Sequence, residues 1–168
     1  YKLKEINPRA NLICAPADHL ILDTQKFIKV ALDALHFTSH IKALVTLGIK
    51  PGNPNTGYGY IQYEQLAAAE NVFMVKTFTE KPDLELAKTF VASGDFLWNA
   101  GIFVWEVRNI VQAFEKYLPE MHEVFDAEKA SFNTAHEQEA IDKIYPQCVN
   151  ISIDYGIMEK ADNVYVIP

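Results

Sequence analysis

Residues 77–105, TFTEKPDLELAKTFVASGDFLWNAGIFVW, decide the fold of this chain. An alternating apolar segment leads into the triplet EKP at 80–82, a segment with helical spacing follows, and the motif WNAG at 98–101 opens a second apolar run. The polar groups therefore stand where one element ends and the next begins. Because proline lacks a backbone donor and restricts the residue before it, we expect Lys81 to be extended at the end of a strand, where it can face a ligand.

A candidate polar patch lies in the same stretch. Asn99 is flanked by Trp98 and by small residues at 100 and 101, so we expect room around its amide group. Glu80, Lys81 and Asn99 supply a carboxylate, an ammonium group and an amide. This combination suits a ligand that carries both hydroxyl and phosphate groups.

The composition is that of one globular domain. The chain has 168 residues, of which 49% are hydrophobic and 22% charged, and a domain of this size buries roughly 70% of its unfolded surface. The formal net charge of −7 argues against a nucleic-acid partner, because binding to a phosphate backbone depends on a basic surface. A small anionic ligand needs only a local cluster of donors, so that class of ligand stays open.

The cysteines and the apolar runs indicate the cellular compartment. Cys14 and Cys148 lack the spacing of a metal site, and Cys14 lies in an apolar run, which predicts a buried, reduced thiol. A reducing, cytoplasmic compartment fits this pattern. No apolar run reaches the ~18 residues of a membrane span, so we predict no membrane partner. The chain begins at Tyr1 and closes on a strand-like run, from which we expect part of a longer domain.

The first part of the chain predicts a β-α-β unit. A continuous apolar run at 12–15 is typical of a strand covered on both faces, and Asp23 caps a helix that extends to about His40. Residues 42–49 form the next strand. Asp18 follows the first strand, where ligands gather in open α/β sheets, so it is a candidate ligand of a metal or a phosphate. The alternative is that Asp18 only caps the following helix.

Two antiparallel strands are predicted next, at 58–63 and 71–78, with residues 64–70 as their connection. Gly59 interrupts the first of them. A glycine inside a strand marks either the close approach of a ligand or of another backbone, or a β-bulge, and these interpretations stay open here.

Helices dominate the remainder. Asp83 caps a helix that Gly94 ends, and further helical segments with packing faces begin near 108, 119 and 137. Ser152 and Asp154 precede a helical turn, for which either side chain is a candidate cap.

Five motifs in order resemble one known family. They are APADH at 15–19, TGYGYI at 56–61, FTEKP at 78–82, WNAG at 98–101 and SIDYGIME at 152–159. Each motif is weak alone. Together and at this spacing they resemble the bacterial mannose-1-phosphate guanylyltransferases over residues 11–168.

The resemblance implies a Rossmann-like α/β nucleotidyltransferase fold with a mixed sheet, acting on GTP and mannose 1-phosphate to give GDP-mannose and pyrophosphate. It also implies a role for each candidate residue: Asp18 would bind Mg²⁺, Lys81 the sugar phosphate, Glu80 the sugar hydroxyls and Asn99 the mannose ring. Gly59 and its neighbour Tyr58 would approach the sugar, and Asp154 would lie beside it or support it. Asp18 and Lys81 would be the catalytic pair.

The chain departs from the family pattern at two places. Members carry an upstream glycine-rich loop that grips the triphosphate and a later Gly-Trp-Ser-Asp run with a second metal ligand, and neither stretch is present. We therefore expect residues 1–168 to be the central and C-terminal part of one nucleotidyltransferase domain. We expect this part to be inactive alone, and the pattern is compatible with a protein that forms a homo-oligomer.

Other interpretations stay open on the sequence. One is a sister nucleotidyltransferase with a different sugar or base, since the missing loop carries much of the base recognition. Another is a non-catalytic subunit of the same fold that binds a sugar nucleotide. A third is an α/β domain whose polar loops are only turns and caps.

Overall fold

The computed structural model describes all 168 residues of the chain. In chain order its elements are α1 (Lys2–Ile6), β1 (Asn11–Cys14), α2 (Thr24–His40), β2 (Leu44–Ile49), β3 (Tyr60–Ala69), β4 (Val72–Thr79), α3 (Leu84–Ser93), β5 (Phe96–Glu106), α4 (Val107–Tyr117), α5 (Pro119–Ala127), α6 (Glu137–Ile144), a π-helical turn (Asp154–Met158) and β6 (Val164–Ile167). None of these helices combines the length and the apolar character needed to cross a membrane.

One mixed sheet organises the chain, in the order β1-β5-β2-β6-β4-β3. Strands β2 and β6 pair in parallel, and the other neighbouring pairs are antiparallel. The predicted α/β class with a mixed sheet is confirmed. Strands β1 and β2 run in the same direction, but β5 lies antiparallel between them, so the predicted β-α-β unit is split by a strand from later in the chain.

Strand β5 has three partners, and their arrangement creates an opening. Strand β2 pairs along one side of β5. On the other side, β1 pairs with residues 103–106 of β5 and β3 pairs with residues 96–98. Residues 100–102 therefore face no neighbouring strand on that side. A crevice lies here, between the carboxyl end of β1 and the amino end of β3.

Helices cover both faces of the sheet. One hydrophobic cluster, which includes Leu44 and Phe103, contains residues of α4 and of the π-helical turn. The other, which includes Val45 and Val104, contains Ala34 of α2. Successive residues of a strand point to opposite faces, so neighbours in β2 and β5 belong to different clusters. The core is thereby built in two layers, and the strand ends remain available for a site.

The predicted helix caps are confirmed. Asp23 Oδ1 accepts a hydrogen bond from the backbone N–H of Lys26 at the start of α2, at 3.0 Å. Asp83 Oδ1 accepts from the backbone N–H of Leu86 at the start of α3, at 2.9 Å. Helix α3 ends at Gly94, whose φ of +78° is a left-handed conformation that only glycine adopts without strain.

Two predictions about the strands are wrong. Residues 64–69, predicted as a connection, belong to β3, and the turn to β4 is tight because Asn71 takes a φ of +56°. Cys14 was predicted to be buried in a strand covered on both faces, but it is exposed. The reason is that β1 lies at the edge of the sheet and pairs only with β5.

The cap of α3 gives a test of the fold. We expect Gly94→Ala to lower the free energy of unfolding by about 1 kcal/mol, because an alanine in the left-handed conformation is strained. Urea unfolding followed by circular dichroism measures the change. Gly52→Ala is the matched control, since a Cβ there meets no atom within 4 Å. Equal stability of the two variants would contradict the assignment of Gly94 as the helix terminator.

Candidate functional site

The crevice beside β5 holds a cavity of about 690 Å³. It lies at strand ends, where ligands bind in open α/β sheets. Its lining includes six of the seven residues predicted from the sequence: Asp18, Tyr58, Gly59, Glu80, Asn99 and Asp154. The seventh, Lys81, does not line the cavity, but its Nζ lies 2.6 Å from Glu80 Oε1. The fold therefore brings together residues from five separate motifs.

Glu80 and Lys81 form the turn between β4 and α3. The Glu80 side chain is only 6% exposed, whereas that of Lys81 is 57% exposed, so the ion pair joins a buried carboxylate to an ammonium group in solvent. The hydrogen bond to Glu80, and then the charge of that carboxylate, raise the pKa of Lys81. Lys81 is therefore a cation held at the margin of the cavity.

The expectation of an extended Lys81 is wrong. Its φ is +45°, a left-handed conformation that is uncommon for a residue with a side chain. The backbone of Glu80 is held on both sides, because its N–H donates to Glu159 Oε1 at 3.0 Å and its carbonyl accepts from the Tyr155 hydroxyl at 3.4 Å. Because the backbone of Glu80 is held and Pro82 is buried, the chain turns at Lys81, which takes the left-handed conformation.

Gly59, just ahead of β3, lies directly against the carboxylate of Glu80. A Cβ at Gly59 would stand 2.5 Å from Glu80 Oε2 and 3.4 Å from the Cβ of Asn99. The backbone carbonyl of Gly59 also accepts from the N–H of Asn99 at 2.8 Å. Gly59 lies just before β3 and not inside it, so the predicted strand at 58–63 begins two residues later than expected. The close approach of another backbone, that of β5, and of the Glu80 carboxylate accounts for this glycine, and a β-bulge does not.

Asn99 is enclosed by hydrogen bonds, contrary to the expectation of room around its amide. Its Oδ1 accepts from the Thr46 hydroxyl at 2.7 Å and from the Gly101 N–H at 3.1 Å. Its Nδ2 donates to Asp154 Oδ1 at 2.9 Å. An amide oxygen has two lone pairs and an amide nitrogen two hydrogens, so only one N–H of Asn99 is left for a ligand. Gly101, with a φ of +67°, supplies the bend that makes this possible.

Asp154 opens the π-helical turn and faces the same cavity. Burial, and next the negative charge of Glu80, raise the pKa of Asp154, while the hydrogen bond from Asn99 acts in the opposite direction. Asp154 does not cap the turn, whereas Ser152 Oγ accepts from the backbone N–H of Tyr155 at 3.3 Å. Two carboxylates thus share one wall of the cavity, as is common in sites that bind ligands or protons.

Asp18 lies in the turn after β1 and is exposed. The alternative that it caps a helix is excluded, because Asp23 caps α2. The Asp18 carboxylate makes no hydrogen bond within the chain, and it lines the cavity. The chain has no cluster of three or more His, Cys, Asp or Glu residues that could hold a metal ion. A free carboxylate facing a cavity fits Mg²⁺, which is commonly held by one or two carboxylates together with phosphate oxygens and water.

Several residues at the site were missed by sequence reasoning. Thr46 orients Asn99 from the neighbouring strand, and Tyr155 and Glu159 hold the backbone of Glu80. Lys26, in the first turn of α2, is a lysine that lines the cavity itself, and the Trp98 ring lies 5.0 Å from that of Tyr58. Thr46 had a weak signal, as a hydroxyl inside an otherwise apolar strand, but its partner is 53 positions away.

A mixed α/β sheet with a cavity at its strand ends, lined by apolar side chains and a few carboxylates, defines an α/β domain with a candidate small-molecule site. The chain belongs to the nucleotidyl transferase family, whose model matches residues 3–145. It is 36% identical to a mannose-1-phosphate guanylyltransferase from Salmonella montevideo, over 99% of this chain and 36% of that protein. A mannose-1-phosphate guanylyltransferase from Escherichia coli is 32% identical over 98% of this chain and 36% of its own length.

Solved structures agree with the fold. The chain matches a structure from Thermus thermophilus, described as a mannose-1-phosphate geranyltransferase, with a TM-score of 0.84 and 30% identity. The match covers 98% of this chain and 45% of that one. A structure from Helicobacter pylori, described as a mannose-6-phosphate isomerase, gives a TM-score of 0.82 at 27% identity, over 99% of this chain and 66% of that one. The chain spans about a third of the length of the curated relatives it matches.

The raised pKa of Asp154 gives a stability prediction. Because folding raises this pKa, the folded state holds the proton more tightly than the unfolded state, so the stability contributed by the protonated group is lost as the pH rises through the folded pKa. We expect Asp154→Asn, which keeps an oxygen for Asn99 Nδ2, to unfold at higher temperature than the wild type at pH 7. The gain disappears below the ordinary pKa of an aspartate, about 4.

Thermal unfolding from pH 3 to pH 8 measures this effect. Asp162→Asn is the matched control, since the side chain of Asp162 is 80% exposed, and we expect it to change little at any pH. A lower unfolding temperature for Asp154→Asn at neutral pH would show that Asn99 and Lys81 more than offset the cost of burying the charge.

Proposed function

We propose that this chain provides the sugar-phosphate side of a nucleotidyltransferase site, in a protein that transfers GMP from GTP to mannose 1-phosphate and releases pyrophosphate. One observation carries the proposal: a single cavity is lined by the carboxylates of Glu80 and Asp154, by the backbone at Gly59 and by the carboxylate of Asp18. Lys81 lies at the margin of this cavity, where it pairs with Glu80. The similarity to relatives named for mannose 1-phosphate supports the choice of sugar.

The wall formed by Glu80 and Asp154 suits the hydroxyl groups of a sugar. Both side chains present carboxylate oxygens, which accept hydrogen bonds from hydroxyl groups. The absent side chain at Gly59 lets Glu80 Oε2 lie against the backbone, which holds that carboxylate at the cavity wall, where a pyranose ring can approach it. Tyr58 adds an aromatic ring next to this wall. Asn99 supports Asp154 and offers its one remaining N–H to the ring.

Lys81 suits the phosphate of the sugar. Its ammonium group is exposed, charged and restrained by Glu80, so it can pair with a phosphate without leaving its place at the margin of the cavity. An oxygen of that phosphate attacks the α-phosphorus of GTP in line with the leaving pyrophosphate, a new P–O bond forms and the bond to pyrophosphate breaks. Such transfers depend on positioning and charge neutralisation, and no protein nucleophile is required.

Asp18 would hold Mg²⁺ with phosphate oxygens as further ligands. When bound, the metal supplies positive charge that reduces the repulsion between two anionic substrates. The contribution of this chain is the free carboxylate at the mouth of the cavity, on a turn anchored by the pairing of β1 with β5. We place the reaction in the cytoplasm, in keeping with the two free cysteines, and assign it no nucleic-acid or membrane partner.

Mg²⁺ dependence tests the metal assignment. In calorimetric titrations of the intact protein with GDP-mannose, we expect Mg²⁺ to lower Kd by about tenfold or more, since contacts to charged groups are worth on the order of 1.5–3 kcal/mol. Asp18→Asn should bind GDP-mannose equally with and without Mg²⁺. Asp33→Asn, on an exposed ion pair of α2, is the control and should keep the metal effect. A normal Mg²⁺ dependence in Asp18→Asn would exclude this carboxylate as the ligand.

The charge at the cavity margin gives a second test. We expect Lys81→Ala to lower turnover of the intact protein by roughly 10²-fold or more, by analogy with the loss of one preorganised donor at a developing charge. The control is Lys88→Ala, which removes a lysine from an exposed ion pair with Glu85. Steady-state pyrophosphate release with mannose 1-phosphate and GTP measures both variants. Near wild-type turnover in Lys81→Ala would overturn the proposed role of the lysine.

Glucose 1-phosphate and UTP, offered in the same assay, separate the alternatives. A preference for either over mannose 1-phosphate and GTP would favour a sister nucleotidyltransferase. Binding of GDP-mannose with no turnover of any pair would favour a non-catalytic subunit.

A further inference from the structure

Thr46 is a buried polar residue in an apolar strand. Its side chain has no exposed surface, and its neighbours Leu44, Val45 and Leu47 are buried apolar residues. A valine would fill the same volume without the cost of burying a hydroxyl group. We therefore expect this buried hydroxyl group to make a hydrogen bond that the structure requires.

That partner is the amide of Asn99. The Thr46 hydroxyl lies 2.7 Å from Asn99 Oδ1 and 3.3 Å from the carbonyl oxygen of Ile102. A hydroxyl group has one hydrogen, and the shorter distance favours donation to Asn99. The Gly101 N–H donates to the same oxygen at 3.1 Å. Two donors on one side therefore distinguish the oxygen of this amide from its nitrogen.

The orientation of Asn99 determines what Asp154 meets. With Oδ1 directed to Thr46 and Gly101, Nδ2 is directed to Asp154 Oδ1 at 2.9 Å. If the amide were reversed, its oxygen would face the carboxylate, and two acceptors would repel one another. The hydroxyl of Thr46 thus acts on Asp154 through one intermediate residue, and the three residues come from β2, β5 and the π-helical turn.

We propose that Thr46 is a positioning residue for Asp154: it orients the Asn99 amide so that Nδ2 binds one carboxylate oxygen of Asp154 and leaves the other for a sugar hydroxyl. This inference deepens the proposed function and rests on it only for the identity of the ligand. Nothing in the resemblance or in the relatives assigns Thr46 a role, and its side chain does not line the cavity.

The charged side chains that act on Asp154 lie directly after β4, and the charged residues Asp18, Asp23 and Lys26 line the same cavity. Glu80 disfavours the charged form of Asp154, and Lys81 favours it. The N–H of Asn99 favours the carboxylate. Burial and the charge of Glu80 raise the pKa of Asp154, and the hydrogen bond from Asn99 lowers it. Loss of that hydrogen bond should therefore raise the pKa of Asp154 further.

The test compares Thr46→Val, which removes the hydroxyl at constant volume, with Thr46→Ser, which keeps it. In calorimetric titrations of the intact protein with mannose 1-phosphate at pH 7, we expect Kd to rise about fivefold in Thr46→Val, as for the loss of one hydrogen bond. Thr46→Ser should bind like the wild type. Equal losses in the two variants would overturn the proposal, because volume and not the hydroxyl would then be responsible.

The titration of Asp154 supplies a readout that needs no ligand. Carbon-13 NMR of the Asp154 carboxyl should show a higher titration midpoint in Thr46→Val than in the wild type and an unchanged midpoint in Thr46→Ser. An unchanged midpoint in both would overturn the proposal even if the stability of Thr46→Val falls. If the wild type fails to bind mannose 1-phosphate, the proposed function fails, and this midpoint still decides the role of Thr46.

Two further variants complete the design. In an Asp154→Asn background, Thr46→Val should cause no additional change in Kd, since the residue through which it acts is already altered. An undiminished fivefold effect there would contradict action through Asp154. Should Thr46→Val fail to fold, Thr46→Ala replaces it, and the comparison with Thr46→Ser is made in the same way.

Discussion

The pairing of β5 with three strands is the constraint on which the rest of the structure depends. Strand β2 occupies one side of β5, and β1 and β3 divide the other side between them. Between their pairing regions, residues 100–102 are left without a strand partner on that side, and the N–H of Asn99 donates to the carbonyl of Gly59 just ahead of β3. Backbone groups of a buried strand need partners, so such an interruption is usually avoided. In this protein the interruption is the place where side chains from five motifs meet around one cavity.

Charge is arranged in this cavity at a cost to the folded state. Glu80 and Asp154 are carboxylates withdrawn from water on the same wall, and burial and mutual repulsion raise the pKa of Asp154. The protein offsets this cost locally. Lys81 pairs with Glu80, and Asn99, oriented by Thr46, donates to Asp154. Carboxylate oxygens held in place in this way are available to accept hydrogen bonds from a ligand in the cavity.

Local signals in the sequence predicted local structure well. The carboxylates of Asp23 and Asp83 bond the first turns of α2 and α3, and Gly94 takes the left-handed conformation that ends α3, because each of these interactions spans only a few residues. Errors arose where a distant contact prevailed. Lys81 is left-handed because Tyr155 and Glu159 hold the residue before it, and neither contact is visible in the spacing of the EKP triplet.

The sequence by itself determined the α/β class and the helix ends, and its motifs named residues that line one cavity, since periodicity, capping and side-chain chemistry are properties of short stretches. Only the tertiary structure decided that β5 lies between β1 and β2, that Cys14 is at an open edge, and that the Asn99 amide is enclosed instead of free. The physical reason is the same in each case. Strand order and buried hydrogen bonds join residues separated by tens of positions, and no local pattern encodes which of the possible partners will meet.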